Sequence, residues 1–366
     1  MMQFAKETMM QVLGYFPLKG RSVYVEPYGN GHINDTFKVS TDKSESGYVL
    51  QRINHLIFKN VDMLQNNIEI VTNHIRDKLV SRGEKDIDRK VLTFLSTKEK
   101  KSYYFDGENY WRVCLMIPRS QSFDEINVAY SYEAGRAFGD FQSMLSDLPD
   151  WVLGETIPNF HNMEYRLQQF REAISANPVG RLEEVKELVD ALESRAGSMC
   201  IQEVLYREGK LLKRTNHCDT KVNNILFDEN GKVLCVIDLD TVMPGFVLSD
   251  IGDFIRTGAN TGAEDDENLD RVNVNIEIFE AYTRGYMEMA KSFLTPLEIS
   301  LLPYGGRLLT YMQTVRFLTD YINGDTYYKI HRPKHNLIRT KAQFKLLQSL
   351  EAHAAEMDGF MEEWIS

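Results

Sequence analysis

The chain is short of the features that mark secreted, membrane-spanning or nucleic-acid-binding proteins. Among 366 residues there are four cysteines, Cys114, Cys200, Cys218 and Cys235. None falls in a CxxC or other metal-ligand spacing, and three lie in or beside apolar, strand-like runs. Neither a disulfide framework nor a thiolate metal centre follows from that pattern, and reduced, unpaired thiols are expected. No stretch approaches the ~18 uninterrupted apolar residues of a membrane helix. Residues 1–20 carry Lys6 and Glu7 within an amphipathic pattern and lack an apolar core followed by a small-residue cleavage site. A cytoplasmic protein without a membrane partner is expected. The formal net charge is -11 and the basic residues are scattered. That argues against nucleic acid or an anionic membrane as the main partner, since either calls for a clustered cationic face. Any polyanionic ligand must be held locally, by a cation, helix termini or loop amides. Repeats and low-complexity tracts are also missing, and the length suits two lobes rather than one core.

What the sequence does contain is concentrated between residues 216 and 240. His217-x-Asp219 is followed five residues later by Asn224, and fourteen residues after that by Asp238 at the end of an apolar run. This is the spacing of a phosphotransferase catalytic loop. Its chemistry needs a carboxylate to orient or accept the proton of an attacking hydroxyl, and hard oxygen ligands to hold Mg²⁺ against phosphates. The runs 225–227 and 233–237 flank Asp228-Glu229-Asn230-Gly231. They should pair as a hairpin on an Asn-Gly turn, making Asn224 and Asp238 neighbours.

Upstream, 23–28 and 33–39 read as strands around a glycine loop, Gly29-Asn30-Gly31-His32, whose amides can close over phosphates. His32 either contacts phosphate or substrate, or packs at the strand entry. Residues 48–53 form the third strand. Where kinase-like lobes carry a phosphate-contacting lysine, this chain has Gln51, with Arg52 beside it on the opposite face. Either Gln51 is a neutral donor to phosphate or a bulge brings Arg52 in. Helical spacing over 61–80 carries Glu69, which is either a partner for the phosphate-contacting residue or a solvated side chain. Strands at 91–96 and 101–105 should pair with each other. The strand 110–117 ends at Pro118, and there the backbone of Met116 and Ile117 can read the edge of adenine. Beyond it the chain is mainly helical, with a late helix opened by Thr295-Pro296, a helical stretch over 308–322 and a helix over 340–364. Asp250 should start a helix and accept hydrogen bonds from the catalytic loop. Residues 263–267 read as an acidic helix start. Arg316, Asp320 and Tyr321 share one side of a late helix, and Tyr327 and Tyr328 follow in a loop. The run from Asp238 to Asp250 leaves no room for an activation segment, which disfavours a protein substrate.

With these motifs in place, the whole chain resembles the aminoglycoside phosphotransferase and choline kinase superfamily, and within it the bacterial N-acetylhexosamine 1-kinases. The closer resemblance rests on Glu26-Pro27-Tyr28-Gly29-Asn30-Gly31-His32-Ile33-Asn34, on 217–226, on 237–245 and on His335-Asn336-Leu337-Ile338-Arg339-Thr340. Those kinases likewise carry glutamine in place of the strand lysine. The resemblance implies an α+β, protein-kinase-like bilobal fold, with a β-rich nucleotide-covering lobe over 1–117 and a helical lobe over 118–366. It implies Asp219 as catalytic base and Asn224 and Asp238 as Mg²⁺ ligands. Gly29, Asn30, Gly31, His32, Asn34, Gln51, Glu69, Met116 and Ile117 would line the nucleotide. Arg316 and Tyr327 would hold the amino sugar, together with His32, Asn223 and Asp219. The expected reaction moves phosphate from ATP to the anomeric hydroxyl of N-acetylglucosamine or N-acetylgalactosamine, in a monomer or weak oligomer. The alternatives are a kinase of the same fold acting on choline, homoserine, methylthioribose or an aminoglycoside, and a nucleotide-binding pseudokinase scaffold.

Overall fold

The computed structural model describes residues 6–29, 33–43, 47–123, 126–149 and 151–365. In chain order the elements are α1 (Lys6–Leu13), β1 (Ser22–Pro27), β2 (Asp35–Thr41), β3 (Tyr48–Ile53), α2 (Val61–Ser81), β4 (Phe94–Leu95), β5 (Tyr104–Phe105) and β6 (Tyr110–Leu115). There follow α3 (Val128–Leu145), α4 (Met163–Ala176), α5 (Lys186–Glu193), α6 (Ile201–Arg207), β7 (Arg214–Asn216), β8 (Ile225–Phe227), β9 (Val233–Val236) and β10 (Met243–Gly245). The rest is helical: α7 (Val247–Gly258), α8 (Ile276–Ala290), α9 (Pro296–Ile322), α10 (His335–Ala352) and α11 (Ala354–Ile365). Two compact units result. The first comprises residues 1–122, 147–158 and 225–243, and the second 123–146, 159–224 and 244–366. No helix among the described residues is long and apolar enough to cross a membrane.

In the first unit an antiparallel sheet runs β1-β2-β3-β6-β4, with β5 also on β6. The short strands β4 and β5 do not pair with each other as the sequence suggests. Both lie along the free edge of the longer β6, opposite Cys114 and Val113 and opposite Trp111 and Tyr110 respectively. Period-two alternation sorts the sheet into two faces. Phe37, Val39, Tyr48, Leu50, Trp111 and Val113 point to one face and form a core with Met9, Val12 and Leu13 of α1. The register Thr36↔Gln51↔Arg112 puts a polar ladder on the other. Gln51 Nε2 donates to Thr36 Oγ1 at 3.2 Å, and Arg112 Nε donates to Gln51 Oε1 at 3.0 Å. Arg112 Nη1 lies 2.6 Å from Asp240 Oδ1, and both side chains are only 3 % exposed.

The β8–β9 hairpin forms as expected, with Ile225 opposite Val236 and Phe227 opposite Val233. Its turn is closed by Asp228 N–H to Lys232 O at 2.8 Å, with Gly231 at φ 76°.

In the second unit α3 and α8 lie against each other along most of their lengths. Glycines permit that approach: a Cβ at Gly285 would stand 2.1 Å from Tyr132 O. The late helices differ from the sequence reading. Residues 308–322 belong to one 27-residue helix, α9, opened by a Thr295–Glu298 capping box. The expected helix over 340–364 breaks at His353 into α10 and α11. Residues 263–267 do not start a helix: Glu264 is drawn to Arg256 at 2.8 Å and Asp265 to His335 at 2.8 Å, and these side-chain bonds replace helical ones.

Gly285→Ala should cost about 1–3 kcal/mol, as an overpacked contact against backbone. Gly359→Ala on α11, where a Cβ would meet nothing within 4 Å, should be neutral or stabilising. Urea unfolding of the pair measures both. By the same method Arg112→Met should cost about 3–5 kcal/mol by leaving Asp240 buried and uncompensated. The double variant Arg112→Met/Asp240→Leu should recover part of that loss.

Candidate active site

In the second unit β7 leads into the candidate catalytic loop, residues 217–224, which is held from beneath by α7. Asp250 lies in the first turn of α7, fully buried, and accepts the backbone N–H of His217 at 2.8 Å and of Cys218 at 2.7 Å. Burial pushes its carboxyl above the usual range, while His217 and these hydrogen bonds pull the other way. Gln142 of α3 donates to Asp250 Oδ2 at 2.6 Å and to Asn216 Oδ1 at 2.9 Å. A second carboxylate, Asp253, accepts from Thr220 N at 3.1 Å and is held by Arg256 at 2.9 Å. Cys218 takes φ 63°, a left-handed turn in a residue with a side chain, and the two tethered amides hold it there. His217 is wholly buried, its ring edge-on to Phe138 and Phe141 at 5.4 and 5.7 Å. It packs the loop onto α3.

Asp219 is the residue this scaffold presents. Its side chain is 27 % exposed, and Lys221 Nζ stands 2.7 Å from Oδ1. Burial disfavours the Lys221 ammonium, but Asp219 and Asp253 outweigh it and hold the pKa at about 12. Asn224 Nδ2 donates to Asp219 O at 2.8 Å and to Oδ2 at 3.1 Å. With its nitrogen so engaged, Asn224 has its amide oxygen left to offer a cation. Asn223 is exposed beside it. Lys221 was not singled out in the sequence, although its place two residues after Asp219 was the available signal.

The same unit holds Arg316 and Tyr327. Arg316 donates to Gln313 Oε1 at 3.1 Å, and its guanidinium lies over the rings of Phe160 and Tyr328 at 5.4 and 5.7 Å. Tyr327 is 60 % exposed. Asp320 and Tyr321 serve the framework instead. Asp320, 4 % exposed, accepts the backbone N–H of Thr326, Tyr327 and Tyr328 at 2.9, 2.8 and 3.0 Å. Asn336 donates to Asp320 and Asp325, each at 2.8 Å, which gives the 335–340 segment its part in shaping this loop.

In the first unit Asn34 follows the glycine-rich segment in sequence. Its Nδ2 donates to Asp240 and its Oδ1 accepts Asn54 N–H at 2.9 Å. Gly29 takes φ 74°, whereas Asn30, Gly31 and His32 lie outside the described residues. Gln51 spends both ends of its amide within the polar ladder. Arg52 is not displaced by a bulge: the register is regular, and Arg52 pairs with Asp35 at 2.6 Å on the opposite face. Arg112, the buried cation on the Gln51 face, was missed because only strand register reveals it. Glu69 is exposed on α2, which turns Gln65 and Asn67 inward instead. Met116 donates its N–H to Gly47 O at 3.3 Å, and Ile117 O accepts Ser120 Oγ at 2.8 Å. Asp238 is exposed at φ 59°, ahead of a single 3-10 turn. Among the described residues no three His, Cys, Asp or Glu side chains gather as a metal cluster.

Solved structures share this architecture. An aminoglycoside phosphotransferase from Alicyclobacillus acidocaldarius matches with TM-score 0.64 at 12% identity, over 99% of this chain and 98% of that one. A spectinomycin phosphotransferase in complex with ADP and spectinomycin matches with TM-score 0.60 at 12% identity, over 97% and 100%. An ethanolamine kinase from Plasmodium vivax matches with TM-score 0.53 at 12% identity, over 88% and 82%. At such identities the likeness establishes the kinase-like fold. The family model described as "Phosphotransferase enzyme family" matches residues 25–287, well over half the sequence, and the chain belongs to that family.

Proposed function

We propose that this phosphotransferase transfers the γ-phosphoryl group of ATP to the anomeric hydroxyl of an N-acetylhexosamine, releasing the sugar 1-phosphate and ADP. The observation that carries the reaction type is Asp219: a partly exposed carboxylate on a loop whose other members are tied down by Asp250 and Asp253. Such a group orients the C1 hydroxyl and takes its proton as the sugar oxygen bonds to phosphorus and ADP leaves. Lys221, beside it at 2.7 Å, pairs with the carboxylate and offers positive charge to the phosphoryl oxygens.

Asn224 and Asp238, which flank the β8–β9 hairpin in sequence, supply an amide and a carboxylate oxygen for Mg²⁺. Two hard oxygen ligands suit that ion, which completes its shell with water and phosphate oxygens rather than a protein cage. When bound, it neutralises phosphate charge. ATP as co-substrate is supported by the ADP in the related spectinomycin enzyme. The division of labour between a nucleotide-covering lobe (1–117) and an acceptor lobe (118–366) stays part of this reading. So do backbone contacts of Met116 and Ile117 to adenine, and closure of the 29–34 loop over the phosphates. The hexosamine is supported by the resemblance at 26–34 and 335–340, and by Arg316 and Tyr327 on the same unit as Asp219.

A coupled ADP-release assay over N-acetylhexosamines, simple hexoses, choline, ethanolamine, homoserine and aminoglycosides, with the product phosphate located by NMR, tests the reading. Turnover should be highest with N-acetylhexosamines and the phosphate should sit on C1. Phosphate on C6, or turnover confined to amino alcohols, would refute it. Asp219→Asn should lower kcat on the order of a hundredfold or more while nucleotide binding persists. Titration with EDTA should abolish turnover, and added Mg²⁺ should restore it.

A further inference from the structure

The second unit gathers positive charge that no carboxylate among the described residues neutralises. Arg166 of α4 donates through Nε and Nη2 to Phe160 O, at 3.3 and 2.9 Å, and through Nη1 to Gln169 Oε1 at 2.8 Å. Arg316 of α9 lies over the Phe160 ring. Among the described residues neither guanidinium meets a carboxylate. The acids around them are committed elsewhere. Glu264 pairs with Arg256 at 2.8 Å, Asp320 holds the 326–328 amides, and Asp219 faces Lys221. Burial, and then the charge of Arg316, pull Arg166 down to about 10.

His161 supplies an independent sign of an external partner. Its ring stacks on Phe160 at 4.4 Å, and its Nδ1 is buried without a hydrogen-bond partner among the described residues. Burial, with Arg316, Arg166 and Arg256, holds it neutral, down at about 3, while Asp219 acts on it in the opposite sense. The charges of both arginines and of the catalytic carboxylate thus reach the same ring. A partly buried pair of guanidiniums without acids is stabilised by an external carbonyl, carboxylate or phosphate oxygen. It is destabilised by a further cation.

We propose that Arg166, acting with Arg316, makes the acceptor side of the site select against cations. The acceptor carries a carbonyl or carboxylate oxygen, not an ammonium, beside its reacting hydroxyl, and Arg166 sets that preference. This rests on the reading of Asp219 as the base for the acceptor. It implies that the free amino sugar is discriminated against by charge, not by shape.

N-acetylglucosamine and glucosamine, compared at pH 7 and at a pH where the amine is neutral, provide the test. The wild type, Arg166→Gln and Arg166→Lys are followed by turnover and by acceptor-dependent melting shifts. The wild type should favour the acetylated sugar by about a hundredfold in kcat/KM at pH 7, and less at the higher pH. Arg166→Gln should narrow that ratio at least about tenfold, and Arg166→Lys, which keeps the charge, should retain it. If Arg166→Gln fails to fold, the wild-type pH comparison and Arg166→Lys still decide. Equal use of glucosamine by the wild type, or an unchanged ratio in Arg166→Gln, would overturn the proposal. If no hexosamine is phosphorylated, the hexosamine reading falls alone. Turnover or stabilisation only by choline, ethanolamine or an aminoglycoside would then overturn the charge selection too, whereas response to a neutral or acidic acceptor would support it.

Discussion

The constraint on which the 217–224 loop and its surroundings depend is one buried carboxylate. Asp250 satisfies the backbone N–H groups of His217 and Cys218, two donors that the left-handed turn at Cys218 would otherwise leave orphaned inside the protein. Hydrogen bonds to a charged acceptor are worth about 1.5–3 kcal/mol each, and an orphaned donor costs about as much, so the loop has little freedom to relax. The tether extends outward through Gln142 to Asn216 and on to α3, whose seating against α8 needs glycine at the crossing. Asp253 fixes Thr220 in the same manner. Asp219 is consequently the last residue of a chain of satisfied polar groups and the first with its side chain turned partly to solvent.

The first unit has no lysine on β3. Arg112 supplies a cation from the neighbouring strand and Gln51 orients it, but the charge is spent on Asp240 rather than left open. Because Asn34 also donates to Asp240, the end of the glycine loop and the residue two positions beyond Asp238 are joined through one carboxylate. A substitution at Gln51 therefore acts first on Arg112, and through it on Asp240.

What was legible in the sequence is what local rules encode. The Asn-Gly hairpin, the alternation in β2 and β3, the Thr295 cap and the role of Asp250 all follow from spacing and turn chemistry. The α+β, kinase-like character followed too, and the family match over residues 25–287 spans the hairpin, β2, β3 and Asp250. Residues whose meaning depends on register or tertiary placement were not legible. Arg112 looks like any strand arginine until Gln51 is set opposite it. Glu69 and Asn67 sit two residues apart on one helix, and the exposed one carries the charge that sequence reasoning favours. The acidic run at 263–267 suggests a solvated helix start, yet Glu264 and Asp265 are drawn into ion pairs with Arg256 and His335. Arg166 and Arg316 are 150 positions apart, and only the tertiary fold sets them around Phe160.

The net charge of -11 also misleads at the scale of a binding site. Several of the acids responsible for it are structural acceptors: Asp240, Asp250, Asp253 and Asp320 are all buried and bonded to backbone or cation. Charge spent in this way projects little field into solvent, because its partners cancel it within a few ångströms. Arg166 and Arg316 meet no carboxylate among the described residues, so their charge is not cancelled in this way. Solved structures named for spectinomycin and ethanolamine share this fold at 12% identity, and on one fold selectivity among acceptors is set by local side chains rather than by the architecture.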